Sequence, residues 1–201
     1  MTRANSRPNA FFQFFLLLFF FAVPCLAQKT PAWEIFGGYS LQRSDMRQYF
    51  KSSPTVYTFR NQYANLNGWD FSVTENKNSW FGGTFDVSGH YGTPNLQGTA
   101  NRERRYSILY GPRLFRRTGW VTPYAHVLVG VAHTNVTVTP VGPNASELSF
   151  AVVAGGGVDV SLNKAAIRLI QVDYFGTKAL GTKPNNLRVS AGVVFYLGGK
   201  K

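Results

Sequence analysis

Few groups in this chain have the type and spacing to do chemistry. The three histidines, His90, His126 and His133, match no HExxH pattern and have no cysteine at ligand spacing, so the sequence offers no zinc site and implies no cofactor. Two residues beyond them stand Gly92, Leu128 and Asn135, none a nucleophile, and a serine hydrolase would therefore need a triad assembled from distant segments. The glycine run at 155–157 is followed by no Lys-Ser or Lys-Thr pair, so it reads as tight packing on a curved strand and not as a phosphate loop. Asn135 with Thr137 and Asn144 with Ser146 match glycosylation sequons, short patterns that arise by chance and receive no role.

What remains is charge. Of 201 residues, 15% are charged and 44% hydrophobic, a composition too apolar for a disordered chain. Lys and Arg number 21 against 9 acids, a net +12, which points to a polyanionic partner: nucleic acid, anionic lipid or the phosphates of lipopolysaccharide. The amino terminus chooses among them. Arg3 and Arg7 precede an apolar run from Phe11 to Val23, and small residues Cys25 and Ala27 close it, the pattern of a secretory signal with cleavage expected after Ala27. About 13 apolar residues fall short of the roughly 20 that span a bilayer as a helix. Residues 1–27 are thus expected to be a cleavable signal peptide and 28–201 a single exported domain. Cleavage removes two basic groups and no acid, leaving 19 against 9, or +10, and it removes the one cysteine. An exported chain has no expected nucleic-acid partner, and without thiols its stability must come from packing and hydrogen bonds.

The elements that position the charges alternate with period two. Trp33, Ile35, Tyr39 and Leu41 share one face and Glu34, Phe36 and Ser40 the other; Trp69, Phe71 and Val73 oppose Asp70 and Ser72; Phe81, Phe85, Val87 and Tyr91 oppose Asp86, Ser88 and His90. The same rhythm puts Arg113 opposite Leu114, His126 opposite Val127, Asp159 opposite Val158 and Arg188 opposite Val189. The segment 165–175 breaks it, because Asp173 and Gln171 share the polar face while Arg168 falls with Ile170 and Val172; a bulge or a rim position would resolve this. Connections alternate long (43–65, 92–104, 133–147, 176–186) and short (75–79, 116–119, 161–164). Eight strands of about 9 to 11 residues, with loops sorted by length, predict an all-β fold: an eight-stranded antiparallel up-and-down transmembrane β-barrel with long outer loops and short periplasmic turns.

Alternation fits a soluble barrel as well, with the apolar face inside. Aromatics near strand ends (Trp33, Tyr91, Tyr106, Trp120, Phe195) and an opposite face rich in Gly, Ser, Thr and Ala favour lipid on the apolar side. At this point the chain resembles the small OmpA-like and OmpX-like outer-membrane β-barrel superfamily, the bacterial outer membrane protein beta-barrel domain group. The resemblance rests on TPAWEIFGGYSL, YGPRLF, VTPYAHVLVGVA, GGGVDV with IRLIQVDYFGT, and NNLRVSAGVVFYL, and spans the mature chain. One departure is the end of the last strand, where Phe195 and Tyr196 are followed by Leu197, two glycines and two lysines instead of a terminal aromatic. The resemblance implies a bacterium with two membranes, location in the cell outer membrane, assembly by the barrel assembly machinery, and lipid and lipopolysaccharide as surroundings.

Two residue sets follow. An eight-stranded barrel has an interior only just filled by side chains, and unpaired buried charge is costly. Glu34, Asp70, Asp86, Asp159 and Asp173 are therefore expected to pair with Arg113 and Arg188, with His126 beside them, as a plug leaving at most a narrow water path. Arg43, Arg47, Lys51, Arg60, Arg102, Arg104, Arg105, Lys178 and Lys183 fall in predicted outer loops and are the candidates for lipopolysaccharide phosphate. The function expected is non-enzymatic: a monomeric outer-membrane barrel with a structural or surface-interaction role, or limited small-solute passage. The alternatives are a secreted lipocalin-like barrel with an apolar ligand and, further off, a lipid A-modifying barrel enzyme.

Overall fold

In the computed structural model, described for residues 30–53, 56–96, 99–139, 144–177 and 185–199, alternating β-branched and aromatic residues build nine strands and no helix. They are β1 (Pro31–Ser53), β2 (Val56–Asn76), β3 (Phe81–Gly92), β4 (Asn95–Leu96), β5 (Thr99–Phe115), β6 (Val121–Thr139), β7 (Asn144–Leu162), β8 (Ala165–Thr177) and β9 (Asn185–Gly199). Every pairing is antiparallel. The order is β3-β2-β1-β9-β8-β7-β6-β5, and β3 pairs with β5 to close the ring. The two-residue β4 folds back on the start of β5 and is not part of the wall, so the barrel has eight strands. The expected signal peptide, 1–27, lies outside the described residues, as do Lys178 and Lys183.

The apolar face points outward. Trp69, Phe71, Phe85, Tyr110, Val127, Phe150, Leu169, Tyr174 and Phe195 are all exposed, whereas Asp70, Asp86, Asp159, Asp173 and Arg188 are buried. A lipocalin-like barrel would bury the first group and expose the second, so that alternative is overturned. Closure pairs the backbone of every wall strand with two neighbours, the condition for sheet to exist in hydrocarbon. Belts mark the two boundaries: Trp33, Trp80 and Trp120 surround the rim of short turns, and Trp69, Tyr91 and Tyr106 the opposite side. In the latter belt Tyr91 and Tyr106 meet edge to face at 5.7 Å. Trp69 covers Gly89 of β3 so closely that a Cβ there would lie 2.8 Å from the indole.

Strand length differs from expectation. The strands of the wall run from 12 to 23 residues, and most of what the sequence marks as long loops is hairpin. β1 loses β9 beyond the Arg43–Leu187 pair but stays paired with β2 as far as Ser53 and Val56. β5, β6 and β7 likewise stay paired to Ala100–Thr139 and Thr137–Asn144. Polar residues in these stretches leave the ladder intact, because water tolerates polar side chains on a ribbon whose backbone groups are already paired. Arg43, Arg47 and Lys51 therefore lie in β1 and Arg60 in β2, not in a loop.

The irregular segment contains a bulge. Val158 pairs with Ile170 but Asp159 with Arg168, and three steps along β8 from Arg168 to Gln171 match two along β9. Leu169 and Ile170 therefore both face outward, and Arg168 and Gln171 both face in.

Candidate functional site

One parity of each strand lines the lumen, and six of the nine acids of the sequence are buried there: Glu34, Asp70, Asp86, Glu103, Asp159 and Asp173. Five buried arginines, Arg105, Arg113, Arg117, Arg168 and Arg188, face them. Six acids against five arginines leave the described interior nearly neutral, at −1.

These groups form a continuous chain of bonds. Near the short turns Glu34 accepts from Arg113 Nη1 at 2.9 Å, from Asn76 Nδ2 at 2.9 Å and from Arg117 Nη2. Arg113 Nη2 reaches on to Asp159 at 2.9 Å, and Arg168 donates to both Asp159 oxygens at 2.8 and 3.2 Å. Arg168 Nη1 then donates to Gln171 Oε1 at 2.7 Å, and Gln171 Nε2 to Asp173 at 2.7 Å. Asp173 receives His126 at 2.9 Å and Arg188 Nε at 2.9 Å, and Arg188 also binds Asp86 through two bonds. Asp70 completes the group, 3.3 Å from Gln171 Nε2 and 3.7 Å from Arg188 Nη1. All eight of the sequence-marked lumen residues meet in this chain.

Rings hold the cations in place. Tyr124 lies 3.9 Å from Arg113 and 4.6 Å from Arg168, and Phe36 is 4.1 Å from Arg168. The Tyr124 hydroxyl donates to Gln171 Oε1 at 2.7 Å. Glycine makes room for this packing: a Cβ on Gly157 would lie 2.7 Å from the Tyr124 oxygen, and one on Gly155 would strike Asp173. On the side of the long hairpins the lumen turns partly apolar, with Leu109, Leu128, Ala132, Ala151, Val153 and Phe175 packed together. The chemistry available to such an arrangement is electrostatic closure.

Catalytic geometry is sparse. Ser40 Oγ is 2.8 Å from His90 Nε2 and accepts from Ser190 at 2.9 Å, but Ser40 is fully buried, and no carboxylate bonds to His90 among the described residues. No group of metal-ligating side chains forms among the described residues.

Several residues lie elsewhere than their sequence pattern suggests. Arg105 is not an exposed loop cation; it is buried, and its Nη2 donates to Glu103 at 2.8 Å and Ser44 at 3.1 Å. β5 begins at Thr99, so its inward parity of 105, 107 and 109 extends two residues further than the sequence suggests, to Glu103. Arg117 continues the same parity at the opposite end, from 113 and 115, although it belongs to a turn. Continuing the alternation past each strand end would have found all three. Arg43, Arg102 and Arg104 are exposed, but they lie in β1 and β5 and not in the loops expected for them. Arg43 stacks over Tyr63 at 4.2 Å, beside a hollow of about 310 Å³ that also touches Tyr174 and Leu187. Arg102 and Arg104 border a second hollow with Tyr91 and Thr93.

Comparison with known proteins agrees with this architecture. The family model described as "Outer membrane protein beta-barrel domain" matches residues 14–195. No curated protein sequence matches the chain. Among solved structures it is similar to Ail, the attachment invasion locus protein of Yersinia pestis, with a TM-score of 0.54 and 17% identity over 83% of this chain and 99% of that one. Neisserial surface protein A gives 0.63 and 14% over 83% and 97%. The outer membrane protein OprG of Pseudomonas aeruginosa gives 0.54 and 14% over 86% and 99%. At these identities the likeness is one of fold.

Proposed function

Since the chain belongs to the outer membrane protein beta-barrel domain family and is an outer-membrane barrel, we propose that it is a non-enzymatic, monomeric surface barrel whose rim of long hairpins holds polyanionic glycan, foremost the phosphates of lipopolysaccharide. Its short turns face the periplasm and its long hairpins the outside, the orientation of the architecture. The barrel assembly machinery inserts it, and outer-membrane lipid surrounds it.

The observation that carries this reading is the position of Arg43, Arg102 and Arg104. Arg102 and Arg104 stand exposed at and just beyond the level of the Tyr91 and Tyr106 rings, and Arg43 is held over Tyr63, whose ring lies two residues nearer the hairpin tip, at the height where hydrocarbon gives way to head groups. An arginine fork held over a ring is pre-organised to donate to phosphate or sulfate oxygens. One structure of Ail contains the heparin analogue sucrose octasulfate, which shows that a protein of this fold can hold a sulfated sugar. The bonded lumen supports a structural role for the interior, with solute passage limited to a narrow water path.

The test is lipopolysaccharide binding by the detergent-purified barrel carrying Arg43→Gln, Arg102→Gln and Arg104→Gln together. Loss of several charge-assisted bonds is expected to weaken binding by about tenfold or more. Unchanged binding by a folded triple variant would refute the reading.

A further inference from the structure

The periplasmic end of the barrel carries a second basic feature. The turns at 116–120 and 163–164 and the end of β9 border an open cavity of about 650 Å³, whose walls include Arg117, Trp120, Ser161, Lys164 and Tyr196. Among the described residues, every ionisable lining group except the Tyr196 phenol is cationic and no carboxylate borders the space. Glu34, the acid behind it, is bound by Arg113 and Arg117, and Asp159 by Arg113 and Arg168, so three guanidinium groups face two carboxylates at this end of the lumen, and the exposed Lys164 adds a further positive charge at the mouth. Ser161 Oγ and Tyr196 Oη lie 3.2 Å apart on the cavity wall, two hydroxyls able to turn toward an incoming oxygen. Trp120 and Leu197 project from the same mouth, 69% and 50% exposed, and Trp33 and Trp80 stand exposed on the same rim. Tryptophan at this density marks the level of the inner-leaflet head groups.

We propose that this mouth binds the phosphate head group of an anionic glycerophospholipid of the inner leaflet. Lys164 and Arg117 meet the phosphate, the Ser161 and Tyr196 hydroxyls donate to its remaining oxygens, and Trp120 and Leu197 lie along the glycerol and the first methylenes of the acyl chains. Charge selects the head group: a zwitterionic lipid would bring its own ammonium into a space already cationic. The site lies at the opposite end from the lipopolysaccharide-facing arginines and does not depend on them; it requires only that the short turns face the periplasm.

Native mass spectrometry of the detergent-solubilised barrel, titrated with phosphatidylglycerol or phosphatidylcholine, tests this. Phosphatidylglycerol should be retained preferentially. Lys164→Gln combined with Trp120→Ala should reduce its retention by about tenfold, while Lys164→Arg keeps it. Both positions are exposed at a turn, and the heat-dependent gel mobility of each variant reports folding separately. Equal retention of the two lipids, or retention unaffected by the double substitution, would overturn the proposal. So would displacement of the lipid by glycerol phosphate at matched concentration, since the site would then take a soluble phosphate and not a membrane one.

Discussion

Arg188 of β9 grips Asp86 of β3 across the lumen, Nη1 to Oδ1 at 2.9 Å and Nη2 to Oδ2 at 3.1 Å. The two strands are not neighbours in the sheet; β1 and β2 lie between them. This fork braces the wall in a direction that ladder hydrogen bonds cannot. The same guanidinium also serves Asp173 and faces Asp70, so one cation answers three buried carboxylates.

Replacing Arg188 by Met should therefore cost far more than the lost bonds, because three carboxylates would remain in a space without their main counter-charge. A loss of about 3–5 kcal/mol is expected for breaking such a buried group. Arg188→Lys should fall between, since an ammonium cannot make the two parallel bonds. The urea midpoint for loss of the compact gel band measures both. A midpoint for Arg188→Met equal to that of the parent would show that the bonds seen across the lumen contribute nothing.

The chain of bonds from Glu34 to Asp86 fills the cross-section at the level of Tyr124 and Arg168, which predicts low conductance. In planar bilayers the protein should pass far less current than a large porin, and Arg113→Ser with Arg168→Ser should raise the current by removing two side chains packed on Tyr124. Large-porin conductance in the parent would contradict closure. A double variant that folds and conducts no better would place the constriction elsewhere.

Much of this was legible because period two assigns a face to each residue without any knowledge of the fold. Asp70 beside Trp69, or Arg188 beside Val189, can be sorted by parity alone, and the choice of lipid as the outer solvent then turns the whole set inward. Two kinds of information were not in the pattern. A bulge shifts parity by one, so strict alternation grouped Arg168 with the apolar face and left its side open, and two consecutive outward residues, Leu169 and Ile170, correct the phase after it. Strand ends were invisible too, because hairpins that leave the bilayer lose the apolar half of their alternation while keeping their ladder, so Glu103 was missed and Arg105 misread; Arg117 was missed because it sits in a short turn past the end of β5.

The bulge makes a contrasting pair of predictions. Deleting Leu169 removes the extra residue and leaves Arg168 and Gln171 both inward around a regular pair, so the barrel should still assemble with a modest loss of stability. Inserting one alanine between Val172 and Asp173 instead flips Asp173 to lipid and Tyr174 to the lumen, and assembly should fail. Compact-band formation after refolding separates the two. Equal tolerance would mean that register in β8 is not fixed by its buried charges.

Arg104 and Arg105 are adjacent in sequence but are placed on opposite sides of the wall, the first exposed and the second buried against Glu103 and Ser44. Cysteine scanning reads this directly. With Cys25→Ser as the background, Arg104→Cys should react rapidly with a bulky, membrane-impermeant maleimide on whole cells. Arg105→Cys should react more slowly by about tenfold or more, since the thiol would sit inside a filled lumen. Glu103→Cys should behave like Arg105→Cys and Arg102→Cys like Arg104→Cys, giving an alternation along four consecutive positions. Uniform labelling of all four would show that this stretch is an open loop on the cell surface, and Arg105 would return to the set of cations available to lipopolysaccharide.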